Sequence, residues 1–308
     1  MSKNYEAFVE ELKHRINEAT GIPMENMTFA KEGDKFAPAG DRLLVKFAEH
    51  EDAWEICGIY TNELFRAYQN GTSLDTIASE AAKDLNNIKG SGLYERTKAV
   101  KDYERAKRRL FIRLLNADKY AEELKDAVYK KIGDIALVLY MGLGEHQGSI
   151  ISTKIHKSVV TQWRKDENEV FEKALSNTYY MTPPRIYKWE RMIFDPSYEG
   201  ENFMEMNCPL EHSVIGNCLS TTVKTNGAVA IFLPHVVEKF ADILESDLYL
   251  VFTSVHEVMI HATKSVNPED LKVVLSDTLK EATPEEDYLT SKIYKYSRED
   301  HKFECVTN

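Results

Sequence analysis

The stretch NGAVAIFLPHVVEKFADILESDLYLVFTSVHEVMIHA, residues 226–262, decides the fold because it alternates strand-like and helix-like patterns. GAVAIFLP, DLYLVF and HEVMIHA are short apolar runs that predict strands. Between the first two, HVVEKFADILE repeats apolar residues at helical spacing and predicts an amphipathic helix. Downstream, PEDLKVVLSDTLKEA predicts another helix and KIYKYSRE another strand. The C-terminal hundred residues are therefore predicted to mix strands and helices.

The same alternation of predicted strands and helices begins upstream, at residue 131. IGDIALVLYMGL and SIISTKI predict two strands joined by a turn at GEHQG, followed by the helix ENEVFEKALSNT and the strand RIYKWERMI. LSNT at 175–178 matches LSDT at 275–278, and RIYK at 185 matches KIYK at 292. These matches predict two strand–strand–helix–strand repeats, over 131–191 and 247–298. The alternative is that short apolar strands resemble one another by chance.

The N-terminal part of the chain is predicted to be mostly helical. Apolar residues from Tyr5 to Ile16 recur at helical spacing, DRLLVKF predicts a strand, and residues 61–70 predict a short helix. Thr72 and Asp75 have the spacing of a capping box and predict the start of a further helix. KGSG at 89–92 predicts a break.

These patterns together predict an α+β fold, with a small helical N-terminal part followed by mixed or antiparallel sheet carrying helices. We expect three parts, namely an N-terminal subdomain over 1–90, a first α+β half over 93–200 and a second over 201–308.

Composition and charge exclude several classes of protein. With 43% hydrophobic and 29% charged residues, the chain has the composition of an ordinary globular protein. Its start, MSKNYEAFVEELKHR, carries charges where a signal peptide is apolar, and its four dispersed cysteines predict free thiols in a reducing cytoplasm. The net charge of −11 makes nucleic acid an unlikely partner and argues against an anionic membrane, whereas a protein partner remains open.

One segment runs against this acidic balance. Residues 98–113 hold seven basic and two acidic residues. As a single helix this segment would align four cations that could contact a polyanion: Lys98, Lys101, Arg105 and Arg108. The alternative is a solvated helix face, which Asp102 and Glu104 interrupt.

The chemistry-bearing residues do not complete a metal site. His256, Glu257 and His261 form HExxxH, whereas zinc proteases need HExxH to place both imidazoles on one helix face. Cys208 and Cys218, with His212 between them, offer three ligands without the tight pair that structural zinc prefers. We therefore predict no metal and no cofactor.

The His256–Glu257 dipeptide is nevertheless the best candidate for a catalytic or ligand-binding site, with Ser254 as a further ligand-binding candidate. It follows the apolar strand 248–252, so a turn there would expose a histidine and a carboxylate on a rigid support. On a continuous strand the two side chains would point apart, so an acid–base pair requires a turn or bulge at 254–255. The alternative is a structural histidine bonded to the backbone.

From DYERAKRRLFIRLLN to the C-terminus, the sequence resembles an uncharacterised bacterial family, domain-of-unknown-function family 5688, found mostly in Gram-positive gut bacteria. The resemblance is carried by GDIALVLYMGL, the ENEVFEKALSNT helix, the 226–262 stretch and YLTSKIYKYSRED. It implies a cytosolic protein and offers no catalytic residues to carry over.

Three functions follow as hypotheses. The sequence contains no GxSxG nucleophile elbow, and GLGEHQG lacks the spacing of a phosphate loop. The leading hypothesis is therefore a non-catalytic binding or regulatory module. The alternatives are a hydrolase-like or transferase-like enzyme that uses a His256/Glu257 pair, and polyanion contact through 98–113.

Overall fold

The structure is a computed structural model that describes residues 3–34, 36–37, 40–50, 54–89, 92–146, 149–188, 191, 194–195, 197–205 and 210–306. The chain divides into two compact units, Met1–Lys98 with Gly144–Ser149, and Ala99–Leu143 with Ile150–Asn308. Of the helices described, none is long and apolar enough to cross a bilayer.

The first unit packs helices on an antiparallel sheet of three strands in the order β1-β2-β3. The predicted N-terminal helix is present, and Phe8, Leu12 and Ile16 on its apolar face are buried in the unit's core. The elements are α1 (Lys3–Thr20), β1 (Met27–Ala30), β2 (Arg42–Glu49), β3 (Trp54–Tyr60), α2 (Thr61–Gln69), α3 (Leu74–Lys89) and α4 (Leu93–Lys98).

The start of α3 differs by one residue from the prediction. The backbone N–H of Thr76 donates to the Ser73 hydroxyl at 3.1 Å, so Ser73 caps the helix. Because the helix begins at Leu74, Thr72 lies one residue before the cap position, and its N–H donates to the Ala67 carbonyl of the preceding helix. The predicted Thr72–Asp75 capping box is therefore wrong.

The second unit contains two antiparallel sheets, which confirms the α+β prediction. In the four-stranded sheet, β4, β5 and β7 each pair with β6; these strands are β4 (Leu110–Asn116), β5 (Tyr129–Ile132), β6 (Ile135–His146) and β7 (Ser149–Lys154). The six-stranded sheet has the order β13-β12-β10-β11-β9-β8. Its strands are β8 (Pro184–Tyr187), β9 (Asn217–Thr221), β10 (Leu248–Phe252), β11 (Val258–Ala262), β12 (Ile293–Ser297) and β13 (Lys302–Cys305).

Several helices whose bounds the structure describes accompany these sheets. They are α5 (Tyr103–Ala106), α6 (Ala121–Leu124), α7 (Lys157–Trp163), α8 (Glu167–Met181), α9 (Val236–Leu244) and α10 (Pro268–Glu281). Both α9 and α10 lie where the apolar spacing predicts them. The first three residues of the predicted GEHQG turn belong to β6, which continues to His146, and the last two lie outside the described residues.

The segment GAVAIFLP is not a strand. Gly227–Phe232 form a 3₁₀ helix that begins after Asn226, whose φ of 53° is left-handed. The place beside β11 is taken by β9, which also pairs with β8. Gly227 packs tightly there, since an added Cβ would lie 2.1 Å from the Ser220 hydroxyl. The apolar residues of this segment are thus buried in a short 3₁₀ helix next to the sheet.

The basic segment 98–113 does not form one helix. A 3₁₀ turn, Ala99–Lys101, follows α4, and Asp102 caps the separate helix α5 by accepting from the Glu104 N–H at 3.0 Å. From Leu110 the chain becomes β4, where the Ile112 N–H donates to the Thr178 hydroxyl of α8 at 2.9 Å. The end of this segment, LFIRLL, is thus a largely buried strand rather than a continuation of the helix.

The predicted internal duplication is not confirmed. The second segment has the expected order of strand, strand, helix and strand, whereas the first has two helices, α7 and α8, between β7 and β8. In the second segment β12 returns to pair with β10, whereas in the first β8 leaves the β6–β7 sheet and pairs with β9. The halves 93–200 and 201–308 therefore share one sheet, and the three-part division stays a prediction.

A buried polar network fixes the two sheets of the second unit together. Asp134, in the turn between β5 and β6, is only 5% exposed and accepts from the hydroxyls of Thr290 at 2.9 Å and Tyr294 at 2.5 Å. Burial, and then the bond to Asp134, raise the pKa of Tyr294, so its phenol remains a donor. The tyrosine oxygen occupies the space above Gly133, where an added Cβ would lie 2.3 Å away.

We predict that Tyr294→Phe lowers the free energy of unfolding by about 1.5–3 kcal/mol, because it removes a hydrogen bond to a buried carboxylate. Urea denaturation measures the change. Tyr296→Phe, which removes a hydroxyl 3.0 Å from His301 Nδ1, serves as the control and should cost less. Equal losses in the two variants would show that Asp134 does not anchor this interface.

Candidate functional site

The candidate dipeptide lies in the turn of the β10–β11 hairpin. The last strand pair is Phe252 with Val258, so residues 253–257 form the connection. The turn required at 254–255 is therefore present, and Ser254 and Val255 are buried within it. His256 and Glu257 are both partly exposed.

Glu257 is turned toward hydroxyl groups of its own hairpin. Its Oε1 accepts from the Ser254 hydroxyl at 2.9 Å and also from the Thr253 hydroxyl. Ser254 in turn accepts from the His256 backbone N–H at 2.9 Å. The carboxylate thus closes the turn and makes no hydrogen bond to the imidazole among the contacts of the described residues.

His256 connects three segments of the second unit. Its Nδ1 accepts from the Asn226 backbone N–H at 3.0 Å, and its Nε2 lies 3.1 Å from Asp287 Oδ1. The His256 carbonyl accepts from the Ser220 hydroxyl at 2.7 Å. Because Nδ1 accepts, the ring of the neutral histidine carries its proton on Nε2, beside the carboxylate.

The acidic neighbour of His256 is therefore Asp287 rather than Glu257. Asp287 belongs to the segment before β12, and its carbonyl also accepts from the Val255 N–H at 2.9 Å. Nothing in local spacing identifies it. The only sequence signal is the acidic run PEED that precedes a predicted strand.

These contacts limit what the turn can do chemically. A general base needs a free lone pair within reach of the substrate proton, but the Nδ1 lone pair of His256 is engaged. The nearby thiol of Cys218 is no better placed to react. Burial, and then the charge of Glu257, raise the pKa of Cys218 to about 12, so its thiol stays protonated at neutral pH.

The histidines and cysteines that resemble metal ligands do not converge where the structure describes them. His261 lies on β11 and is 5% exposed, so HExxxH is split between a turn and a strand. Cys208 lies outside the described residues. Within the described parts of the chain, no group of three His, Cys, Asp or Glu residues could hold a metal ion.

The four candidate polyanion contacts do not share one helix. Lys98 ends α4 and pairs with Glu95 at 3.0 Å, while Arg105 in α5 lies 3.4 Å from Asp102. Lys101 and Arg108 are exposed. Half of this predicted patch is consequently engaged by neighbouring carboxylates.

A second histidine shapes the loop before β9. Gly216 has a φ of +74°, and a Cβ there would lie 2.4 Å from Cε1 of His261. Burial lowers the pKa of His261, and a hydrogen bond with the Val214 backbone only partly opposes this effect. The folded protein therefore favours the neutral imidazole, whose Nδ1 is buried without a partner.

We predict that His261 makes stability depend on pH. Below the ordinary histidine value of 6.5, the unfolded chain binds a proton that the folded chain resists, so the free energy of unfolding should fall as pH falls below that value. Urea denaturation at several pH values between about 5 and 7.5 should give a shallower dependence for His261→Phe than for the wild type. His14→Gln, at an exposed site on α1, is the control. Identical slopes for wild type and His261→Phe would contradict the assignment.

The chain belongs to a family of unknown function, DUF5688, whose pattern it matches over residues 5–298. No curated protein and no solved structure matches the chain.

Proposed function

We propose that this chain is a non-catalytic binding protein. The observation that carries the proposal is the engagement of the candidate acid–base groups by the protein itself. Asn226 occupies Nδ1 of His256, and two hydroxyls occupy Oε1 of Glu257. A cytoplasmic location accords with the free thiols of Cys57 and Cys218.

An enzyme that uses His256 is the second candidate. The 3.1 Å approach of Asp287 to Nε2 favours it, because a carboxylate beside an imidazole is a common feature of acid–base sites. The ring is also 31% exposed. This candidate requires substrate to displace the Asn226 N–H from Nδ1. Polyanion contact is less well supported, because Lys98 and Arg105 already have acidic partners.

We predict that His256 stabilises the fold and has no catalytic role. His256→Ala should lower the free energy of unfolding by about 1–3 kcal/mol, because it leaves the Asn226 N–H without an acceptor. His256→Asn should cost less, since its amide oxygen can replace Nδ1 as the acceptor. Thermal and urea denaturation of both variants measure this. Full stability in His256→Ala would contradict the structural role.

We also predict no turnover by the candidate pair. Wild type and Glu257→Gln should hydrolyse a panel of chromogenic esters, phosphoesters and glycosides only at the rate of buffer. Wild-type turnover that disappears in Glu257→Gln and His256→Asn, without loss of folded protein, would establish the enzyme instead.

A further inference from the structure

Arg113 lies on β4 of the four-stranded sheet, beside two aromatic rings. Phe111 precedes it on the same face of the strand, and the β4–β6 register places Tyr140 opposite Phe111. The guanidinium carbon lies 5.2 Å from the centre of the Phe111 ring and 5.3 Å from that of Tyr140. These contacts hold the guanidinium in place by cation–π attraction.

This guanidinium is partly buried, and no carboxylate of the described residues lies within ion-pair distance of it. Its one hydrogen bond among the described residues is a long one, from Nη2 to the Ile150 carbonyl at 3.4 Å. Burial lowers the pKa of Arg113, and the only group that opposes this effect is Tyr140. A cation removed from water without a partner destabilises the fold, and most of its five donors remain unused.

The polar groups described beside Arg113 do not neutralise its charge. Burial is the main cause that raises the pKa of Tyr140 to about 12, so its hydroxyl is a donor at neutral pH. Glu123, whose charge also acts on Tyr140, is ion-paired with Lys154 and does not reach Arg113 within ion-pair distance. Arg113 and Tyr140 therefore offer donors on one face of the sheet.

We propose that Arg113 and Tyr140 bind the oxyanion of a small ligand, a carboxylate or phosphate group, at the β4–β6 face. This inference rests on the proposed binding function and assigns it a site. The planar guanidinium matches the paired oxygens of either group, and each oxygen can accept two such bonds. The phenol supplies a further donor to the same group.

Calorimetric titration and thermal denaturation of the full chain test the site at pH about 7, near which both phosphate and acetate are anions. Sodium phosphate and sodium acetate are compared with sodium chloride at equal ionic strength. We expect saturable binding of at least one oxyanion by the wild type. Binding should weaken at least tenfold in Arg113→Met and less strongly in Tyr140→Phe. Preference for phosphate or for acetate identifies the ligand group.

Stability in chloride gives an independent readout. Arg113→Met should melt at a higher temperature than the wild type, because it removes an uncompensated cation and keeps an unbranched apolar chain. Arg108→Met, at an exposed position, is the matched control and should retain wild-type oxyanion binding. If Arg113→Met fails to fold, Arg113→Lys keeps the charge, loses the planar fork and should still show weakened binding.

Equal stabilisation by all three salts, retained oxyanion binding in Arg113→Met, or a lower melting temperature of Arg113→Met in chloride would each overturn the site. These failures are distinguishable from failure of the proposed function. Turnover of a chromogenic substrate would remove the non-catalytic proposal and leave the oxyanion titrations unchanged.

Discussion

The second unit depends on the hydrogen bonds that the buried carboxylate of Asp134 accepts. A buried charge costs several kcal/mol unless every lone pair finds a donor, so Thr290 and Tyr294 must both be brought to it. Tyr294 lies on β12 of the six-stranded sheet, and Thr290 lies in the segment just before that strand. Asp134 belongs to the turn that precedes β6. Satisfying one carboxylate therefore fixes the junction between two sheets.

The segment that leads into β12 carries this constraint to the candidate turn. The Asn116 amide donates to the Leu289 carbonyl at 2.7 Å, and the Lys119 ammonium donates to the Glu285 carbonyl at 2.7 Å. Asp287 lies between these anchors and holds both the Val255 N–H and the His256 ring. The contacts of Asn116, Lys119 and Asp134 thus hold the segment 285–290, which supplies the acidic neighbour of His256.

Sequence patterns predicted the helices and strands whose apolar periodicity is strong. They failed for segments in which tertiary contacts determine whether a helix or a strand forms. The strand 248–252, the helices α9 and α10, and the turn after β10 follow from local spacing. The strand NCLST was missed because its polar residues are buried by pairing on both edges, and that pairing in turn moves Gly227–Phe232 into a 3₁₀ helix. Likewise, the sequence located the exposed His256–Glu257 dipeptide, but the partner Asp287 reaches it only through the fold.

Hydrogen-bond satisfaction separates the polar groups of this chain by role. The carboxylate oxygens of Asp134 and Glu257 and the Nδ1 of His256 accept hydrogen bonds from the protein itself. These bonds stabilise the fold and leave those atoms unavailable to a ligand. Arg113 differs because it lies partly buried beside two rings and has no carboxylate within ion-pair distance among the described residues. The fold surrounds the Asp134 carboxylate with hydrogen-bond donors, so it is able to supply partners to a buried charge at the four-stranded sheet. Leaving that cation unpaired lowers stability in the free protein and is compensated when an anion binds, which is the thermodynamic pattern of a binding residue.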